Sequence, residues 1–237
     1  MAVTKENVKR FNFAKKPKRP GFLMNVAKEI ISRPDLKKRG FDLKKTDMHL
    51  IQGPYLLLVT HSSMVDFNIM LIATEPNSVN NVMTLEGFKD YTEPLMRHLG
   101  VLGTRKFVQD IHLIKNMKYC IDELGTVFAL YPEARYSLDG CTSYLPDSLG
   151  KMVKILNVPV AVLKIHGNFV TCPQWNKINK KTYVEAVMEP IVTAEEMKTI
   201  THQEINRRIR EHFRYDDFAW QKEKGLKIVH PKRAEGL

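Results

Sequence analysis

The 237-residue chain has three cysteines, no long apolar run and no low-complexity tract, and each shortage removes a class of protein. Cys120, Cys141 and Cys172 are too few and too scattered for a disulfide scaffold or a zinc knuckle. They read as reduced thiols, mostly buried. The longest apolar stretches, such as Tyr55 to Val59 and Val127 to Tyr131, fall far short of the roughly 18 residues that a spanning helix needs. No segment is expected to cross a bilayer. The N-terminus lacks the apolar stretch and small-residue cleavage site of a secretory signal, so a cytoplasmic location is expected. With 43% hydrophobic and 27% charged residues, and only 12 Gly and 12 Pro, the composition suits one α/β domain with a substantial core.

Acidic side chains are scarce where basic ones gather. The whole chain carries a net charge of +11, and residues 1 to 46 hold 14 basic and 4 acidic side chains, a net of +10. Such a segment is attracted to polyanions, either nucleic acid or an anionic lipid surface, unless it is simply a solvated tail. Only Phe11 and Phe13 accompany the basic arm, so it lacks the stacking element of a nucleic-acid platform, and no nucleic-acid partner is expected. After the arm Met1 to Pro20, the residues Leu23, Met24, Val26, Ala27, Ile30 and Ile31 recur at helical spacing within Gly21 to Ser32. Basic residues flank this amphipathic helix on both sides. It suits either a membrane interface or the protein's own core.

From Tyr55 onward, short apolar runs alternate with longer 3.6-period segments, the pattern of βαβ units around a mainly parallel sheet flanked by helices. Strands are predicted at Tyr55–Thr60, Asn80–Leu85, Thr126–Tyr131, Val158–His166 and Thr182–Met188. Helices are predicted at Met64–Thr74, Phe107–Leu124, Ser148–Leu156 and Glu195–Phe213. In such folds ligands collect at the carboxyl ends of the strands, so the residues after each apolar run carry the chemical interest.

The first of these exits is Thr60-His61-Ser62-Ser63-Met64-Val65-Asp66. A histidine followed five residues later by an aspartate makes a general base with an orienting carboxylate, or merely a helix-start hydrogen bond. With 8 His and 11 Asp, chance supplies about 0.4 such pairs, and the chain holds a second at His212 and Asp217. Residues five apart on one helix point about 140° apart, so the pair meets only where the histidine precedes the helix. His61 satisfies this condition better than His212, with Ser62 or Ser63 as the N-cap. The second exit, Tyr131-Pro132-Glu133-Ala134-Arg135-Tyr136-Ser137, offers an arginine fork for phosphate or carboxylate, with Glu133 holding the turn. The third, Gly100 to Lys106, is a glycine-spaced turn ending in Arg105 and Lys106. His166 reads as a hydrogen-bonded structural histidine, Lys164 as a cleft or strand-surface residue, and Trp175 as core or an acyl-chain cover.

Taken in order, His61-(four residues)-Asp66, Gly100-(four residues)-Arg105, Tyr131-Pro132-Glu133-Ala134-Arg135-Tyr136-Ser137 and Val158-Pro159-Val160 resemble the four sequence blocks of the glycerolipid acyltransferases, the bacterial 1-acyl-glycerol-3-phosphate acyltransferases above all. The resemblance spans about residues 50 to 165. It departs from the family at Ala134, which replaces a glycine, at Arg135, which comes one position early with Tyr136 in the arginine's place, and at Gly103, where an apolar residue is usual.

The resemblance implies a glycerolphosphate acyltransferase-like fold, with residues 1–46 as a basic membrane-facing segment and 47–237 as the acyltransferase domain. It implies His61 and Asp66 as the catalytic pair, and Arg105, Glu133, Ala134, Arg135 and Ser137 at the acceptor site. The acyl group would pass from acyl-CoA or acyl carrier protein, a co-substrate rather than a bound cofactor, to the free hydroxyl of lysophosphatidate, making phosphatidate in phospholipid biosynthesis, with no metal. The expected partner surface is anionic, on the inner face of the cell membrane. There is no Gly-x-Ser-x-Gly elbow, so Ser62, Ser63 and Cys141 are weak nucleophile candidates. The remaining alternatives are acylation of another lysophospholipid or of glycerol-3-phosphate, or a non-enzymatic basic membrane-binding adaptor.

Overall fold

The computed structural model describes residues 12–13, 15–85, 93–105, 111–169 and 183–226. Cys172 and Trp175, and the start of the helix expected from Phe107, lie outside the described residues. A seven-stranded sheet forms the middle layer, in the order β1 (Asp42–Lys45), β7 (Glu185–Val192), β6 (Val160–His166), β2 (Leu56–Val59), β5 (Val127–Leu130), β3 (Val79–Thr84) and β4 (Val101–Thr104). All pairings are parallel except β6 with β7. The mainly parallel α/β sheet expected from the sequence is therefore the observed one.

Strand alternation divides the core into two layers. Leu56, Leu58, Phe128, Val160 and Val162 face α5 (Ile111–Asp122), α6 (Ser148–Leu156) and α8 (His202–Phe213) through Met117, Leu149, Val153 and Ile209. Leu57, Val59, Ala129, Ala161 and Leu163 face the other way, onto Ile69 and Met70 of α3 (Asp66–Ala73) and onto Met24 and Leu36. Every residue of β2 is buried, as expected of a central parallel strand covered on both faces. The carboxyl end of β2 is thereby fixed from both sides.

Several boundaries move for identifiable reasons. Within the turn expected over Gly100 to Lys106, Val101–Thr104 forms the edge strand β4, where Gly103 is tolerated because only β3 pairs with it among the described residues. The last strand runs from Glu185 to Val192 and includes Pro190. Its β1 partner pairs only with Glu185 to Met188, so beyond that point β7 has a free edge and the missing N–H costs no ladder bond. The helix expected over 195–213 is two, α7 (Ala194–Thr199) and α8. Each has its own threonine cap: Thr193 forms a capping box with Glu196, and the Thr201 side chain accepts from the Glu204 N–H. α9 (Asp217–Glu223) was not expected.

The division placed at residue 46 does not separate two folding units. β1, on its N-terminal side, is hydrogen-bonded into the sheet along Glu185 to Met188. The helical segment before it, α1 (Phe22–Ala27), a π-helical turn (Lys28–Ser32) and α2 (Arg33–Lys38), buries Met24 and Leu36 against the sheet. The described part of the arm is strapped down as well. Arg97 of α4 (Glu93–His98) donates to the backbone carbonyls of Asn12, Lys15 and Lys16, and the Asn80 amide donates to that of Lys18 at 2.9 Å. What remains outward is a second apolar stripe, Phe22, Leu23, Ile30 and Ile31, between 53% and 78% exposed. The helix thus presents one face to the core and one to solvent. Among the described residues, no helix is long and apolar enough to cross a membrane.

Candidate active site

The chain leaves β2 at Thr60, whose N–H still donates to Leu163 and whose hydroxyl accepts from the Ile165 N–H, so the next residue starts from a fixed point. His61 follows, and α3 begins at Asp66. The Asp66 carboxylate is fully buried and turns back on the loop that precedes it. Its Oδ2 accepts from the Ser62 N–H at 2.7 Å and the Ser63 N–H at 2.9 Å, and lies 2.9 Å from His61 Nδ1. Neither serine caps the helix: Val65 is the N-cap, and no side chain fills that role. The reversed arrangement, with the helix-start carboxylate gathering the loop's own N–H groups, replaces the expected cap.

An oxygen already accepting two backbone N–H bonds is an acceptor toward the imidazole too, so Nδ1 carries the proton and Nε2 holds the lone pair. The histidine side chain keeps 16% of its surface exposed, while Asp66 has none. Buried orienter and reachable base are the geometry of a general-base pair.

The His61 ring is held between two tyrosines of the second exit. Tyr131 stacks at 4.1 Å between ring centroids and Tyr136 lies at 3.9 Å, tilted by 30°. The Tyr136 hydroxyl donates to Met64 Sδ at 2.9 Å. Burial, reinforced by the Asp66 charge, pushes the Tyr136 phenol up to about 12 and that of Tyr131 well above its ordinary value, so both remain neutral. Their role toward the histidine was not apparent from spacing; only the motif's aromatic content hinted at it.

Glu133 and Ser137 point into the protein and act as scaffold. Glu133 accepts from the His61 N–H at 3.2 Å and the Ser143 N–H at 2.5 Å, fastening the second exit to the first. Burial pushes its carboxyl up to about 7 against those two bonds. The Ser137 N–H donates to the His61 carbonyl at 2.7 Å, and its hydroxyl accepts from the Gly140 N–H. Both are buried, so the expectation that they contact an acceptor gives way to a role in holding the turn. Arg135 is exposed on the rim. Arg105 is exposed too, with its guanidinium 4.8 Å from the centre of the Phe13 ring, at the carboxyl edge three strands from β2. Three steps at the usual strand spacing make about 14 Å. The structure thus brings His61, Asp66, Glu133 and Ser137 together and leaves the two arginines on the periphery of the same edge.

The other sequence candidates separate. His212 Nδ1 lies 3.0 Å from Glu189, whereas Asp217 lies 3.3 Å from His166 Nδ1, so the second histidine–aspartate spacing is not a pair in space. Lys164 donates to the carbonyl of His212. Ser62 and Ser63 are buried, and burial with nearby Asp216 raises the Cys141 thiol, so none of these candidates among the described residues is an activated nucleophile beside His61. Among the described residues, no group of three or more His, Cys, Asp and Glu side chains converges to hold a metal.

Neither family models nor curated proteins match the sequence. Among solved structures, the crystal structure of the 1-acyl-sn-glycerophosphate (LPA) acyltransferase PlsC from Thermotoga maritima superposes with a TM-score of 0.60 at 15% identity, over 88% of this chain and 82% of that one. The chain has the PlsC fold. At that identity the likeness concerns the arrangement of strands and helices, and the chemistry rests on the residues described above.

One departure from the acyltransferase pattern has a structural consequence. Ala134, where the family has glycine, sits at φ +54°, in the left-handed region that a Cβ disfavours by roughly 1–2 kcal/mol. Glycine's larger unfolded-state entropy offsets part of that. Ala134→Gly is therefore expected to stabilise the protein by about 0.5–1 kcal/mol, seen as a higher urea midpoint at unchanged m-value. An unchanged or lower midpoint would contradict the strain.

Proposed function

We propose that the protein transfers a fatty acyl group from an acyl thioester to the free hydroxyl of a lysophosphatidate-like acceptor, giving a phosphatidate. The observation that carries this reading is the His61–Asp66 pair at the carboxyl end of β2, with a partly exposed histidine side chain over a fully buried carboxylate, in a fold shared with an acyltransferase. His61 Nε2 removes the acceptor hydroxyl's proton as the oxygen attacks the thioester carbonyl. The C–S bond then breaks, and the imidazolium returns its proton to the departing thiolate, so ester and free thiol are the only products. No acyl-enzyme forms, in keeping with the burial of Ser62 and Ser63.

Arg135 and Arg105 take the acceptor's phosphate, supplying position rather than proton transfer. The donor is acyl-CoA or acyl carrier protein, acting as co-substrate, and no bound cofactor or metal enters the reaction. In this reading Ala134 shapes the turn that sets Arg135 on the rim. Base catalysis of this kind contributes typically ~10²–10⁴-fold. His61→Ala, folded as judged by circular dichroism, should lower lysophosphatidate-dependent thiol release by at least about 100-fold. Equal rates in variant and parent would reject His61 as the base, and release of free fatty acid without acceptor would make the protein a hydrolase.

The acceptor resides in a bilayer, and we assign the outward stripe Phe22, Leu23, Ile30 and Ile31, with exposed Lys15, Lys16, Lys18, Lys37 and Lys38 near it in sequence, to reversible attachment at the inner, anionic face of the cell membrane. Binding to vesicles in a flotation assay should require anionic lipid and weaken as salt is raised. Equal binding to neutral vesicles would overturn the assignment.

A further inference from the structure

β6 ends at His166, and the three residues after it tie the catalytic loop to a second, separate carboxylate. Gly167 turns the chain at φ +79°, where an added Cβ would meet the Tyr183 carbonyl oxygen at 2.2 Å, so only glycine fits. The Gly167 and Phe169 N–H groups both donate to buried Asp217, at 3.2 Å each, and the His166 ring lies against the same carboxylate and stacks on Trp220 at 5.5 Å. With its neighbours on both sides anchored in this way, Asn168 has one direction left. Its side-chain amide donates to Asp66 Oδ1, the oxygen that neither the loop nor His61 uses.

The Asn168 side chain is wholly buried, and its own carbonyl oxygen has no hydrogen-bond partner among the described residues. Folding ordinarily avoids a buried acceptor left unsatisfied. Turning the amide over would instead set that oxygen against the Asp66 carboxylate, which is worse. The observed orientation thus leaves that carbonyl without a partner among the described residues and gives Asp66 a fourth donor.

We propose that Asn168 is a positioning residue for the His61–Asp66 pair, and that Asp217 aims it by fixing the turn after β6. The proposal rests on the reading of His61 as a general base. Held at both oxygens, the Asp66 carboxylate has no freedom to rotate, and His61 keeps its proton on Nδ1 and its lone pair toward the acceptor. Without Asn168, Oδ1 is buried with no donor, and the carboxylate turns to relieve it, drawing Oδ2 off the imidazole.

The test uses the full chain with Asn168→Ala and the nearly isosteric Asn168→Asp, each checked by circular dichroism. In Asn168→Ala, kcat for acyl transfer to lysophosphatidate should fall on the order of tenfold or more while both KM values stay near parental, because no substrate contact is lost. In Asn168→Asp two buried carboxylates face each other. A proton shared between them restores the donor at acid pH, and its loss at higher pH adds an alkaline limb that the parent lacks. The other titratable groups near Asp66, namely His61, Glu133, Tyr131, Tyr136 and Tyr215, are present in parent and variant alike, so the new limb belongs to position 168. A merely structural role would leave the pH profile's shape unchanged.

A second readout does not depend on the reaction. The low-field proton resonance of His61 Nδ1–H, assigned by its loss in His61→Ala, should move or broaden in Asn168→Ala. Parental kcat in Asn168→Ala, or a parental pH profile in Asn168→Asp, overturns the proposal. If the parent transfers no acyl group, the proposed function fails, and the resonance alone decides the positioning role: unchanged in Asn168→Ala, it overturns that role too.

Discussion

A single buried carboxylate organises the site. Asp66 stands at the first turn of α3, yet its oxygens serve the preceding loop and a distant strand end rather than the helix. Two backbone N–H groups, one imidazole and one side-chain amide converge on it. A charge taken fully out of water is costly unless such donors replace the lost hydration, so the loop conformation and the carboxylate's position are mutually dependent. His61 gains its orientation from that dependence. Glu133 and Ser137 add a second tie by holding the His61 backbone on both its N–H and its carbonyl.

The sheet makes this convergence possible. β2 is buried between β5 and β6 and covered on both faces, and the residues leaving β2, β5 and β6 supply His61, the Tyr131–Ser137 turn and Asn168. Three neighbouring strand ends, each fixed by its own ladder, deliver groups to one point with little freedom left to lose. The arginines that would read an acceptor's phosphate lie farther out, on the rim and toward the β4 edge, which suits a substrate whose charged head is separated from its reacting hydroxyl.

Much of this was legible in the residues. Alternating apolar runs gave the mainly parallel sheet, and α6 occupies the very residues its periodicity predicted, Ser148–Leu156. The spacing of His61 and Asp66 across a strand-to-helix turn was meaningful because the histidine precedes the helix. The same spacing at His212 and Asp217 was not, since His212 lies within a helix and its ring turns to Glu189. Contacts between distant segments were illegible: Asn168 on Asp66, the two tyrosines around His61 and the Asp217 anchor depend on strand order, which a local pattern does not encode. β1 and β4 were missed because short edge strands with polar or glycine residues lack the alternation that marks a central strand. The break between α7 and α8 was visible in two threonine–glutamate spacings, but the apolar periodicity running through it obscured the signal.

The account stands on the Asp66 carboxylate orienting His61 as a base, and replacing that carboxylate with an amide tests it most directly. Asp66→Asn keeps the size and the neighbours but offers an N–H where the imidazole needs an acceptor, so His61 would lose its productive tautomer. The decisive quantity is kcat for thioester-dependent acylation of lysophosphatidate at neutral pH, in folded Asp66→Asn and parent side by side. A loss of at least about 100-fold, with acceptor KM little changed, is the predicted result. Turnover close to the parent's would show that the carboxylate does not orient the base, and the mechanism would fall.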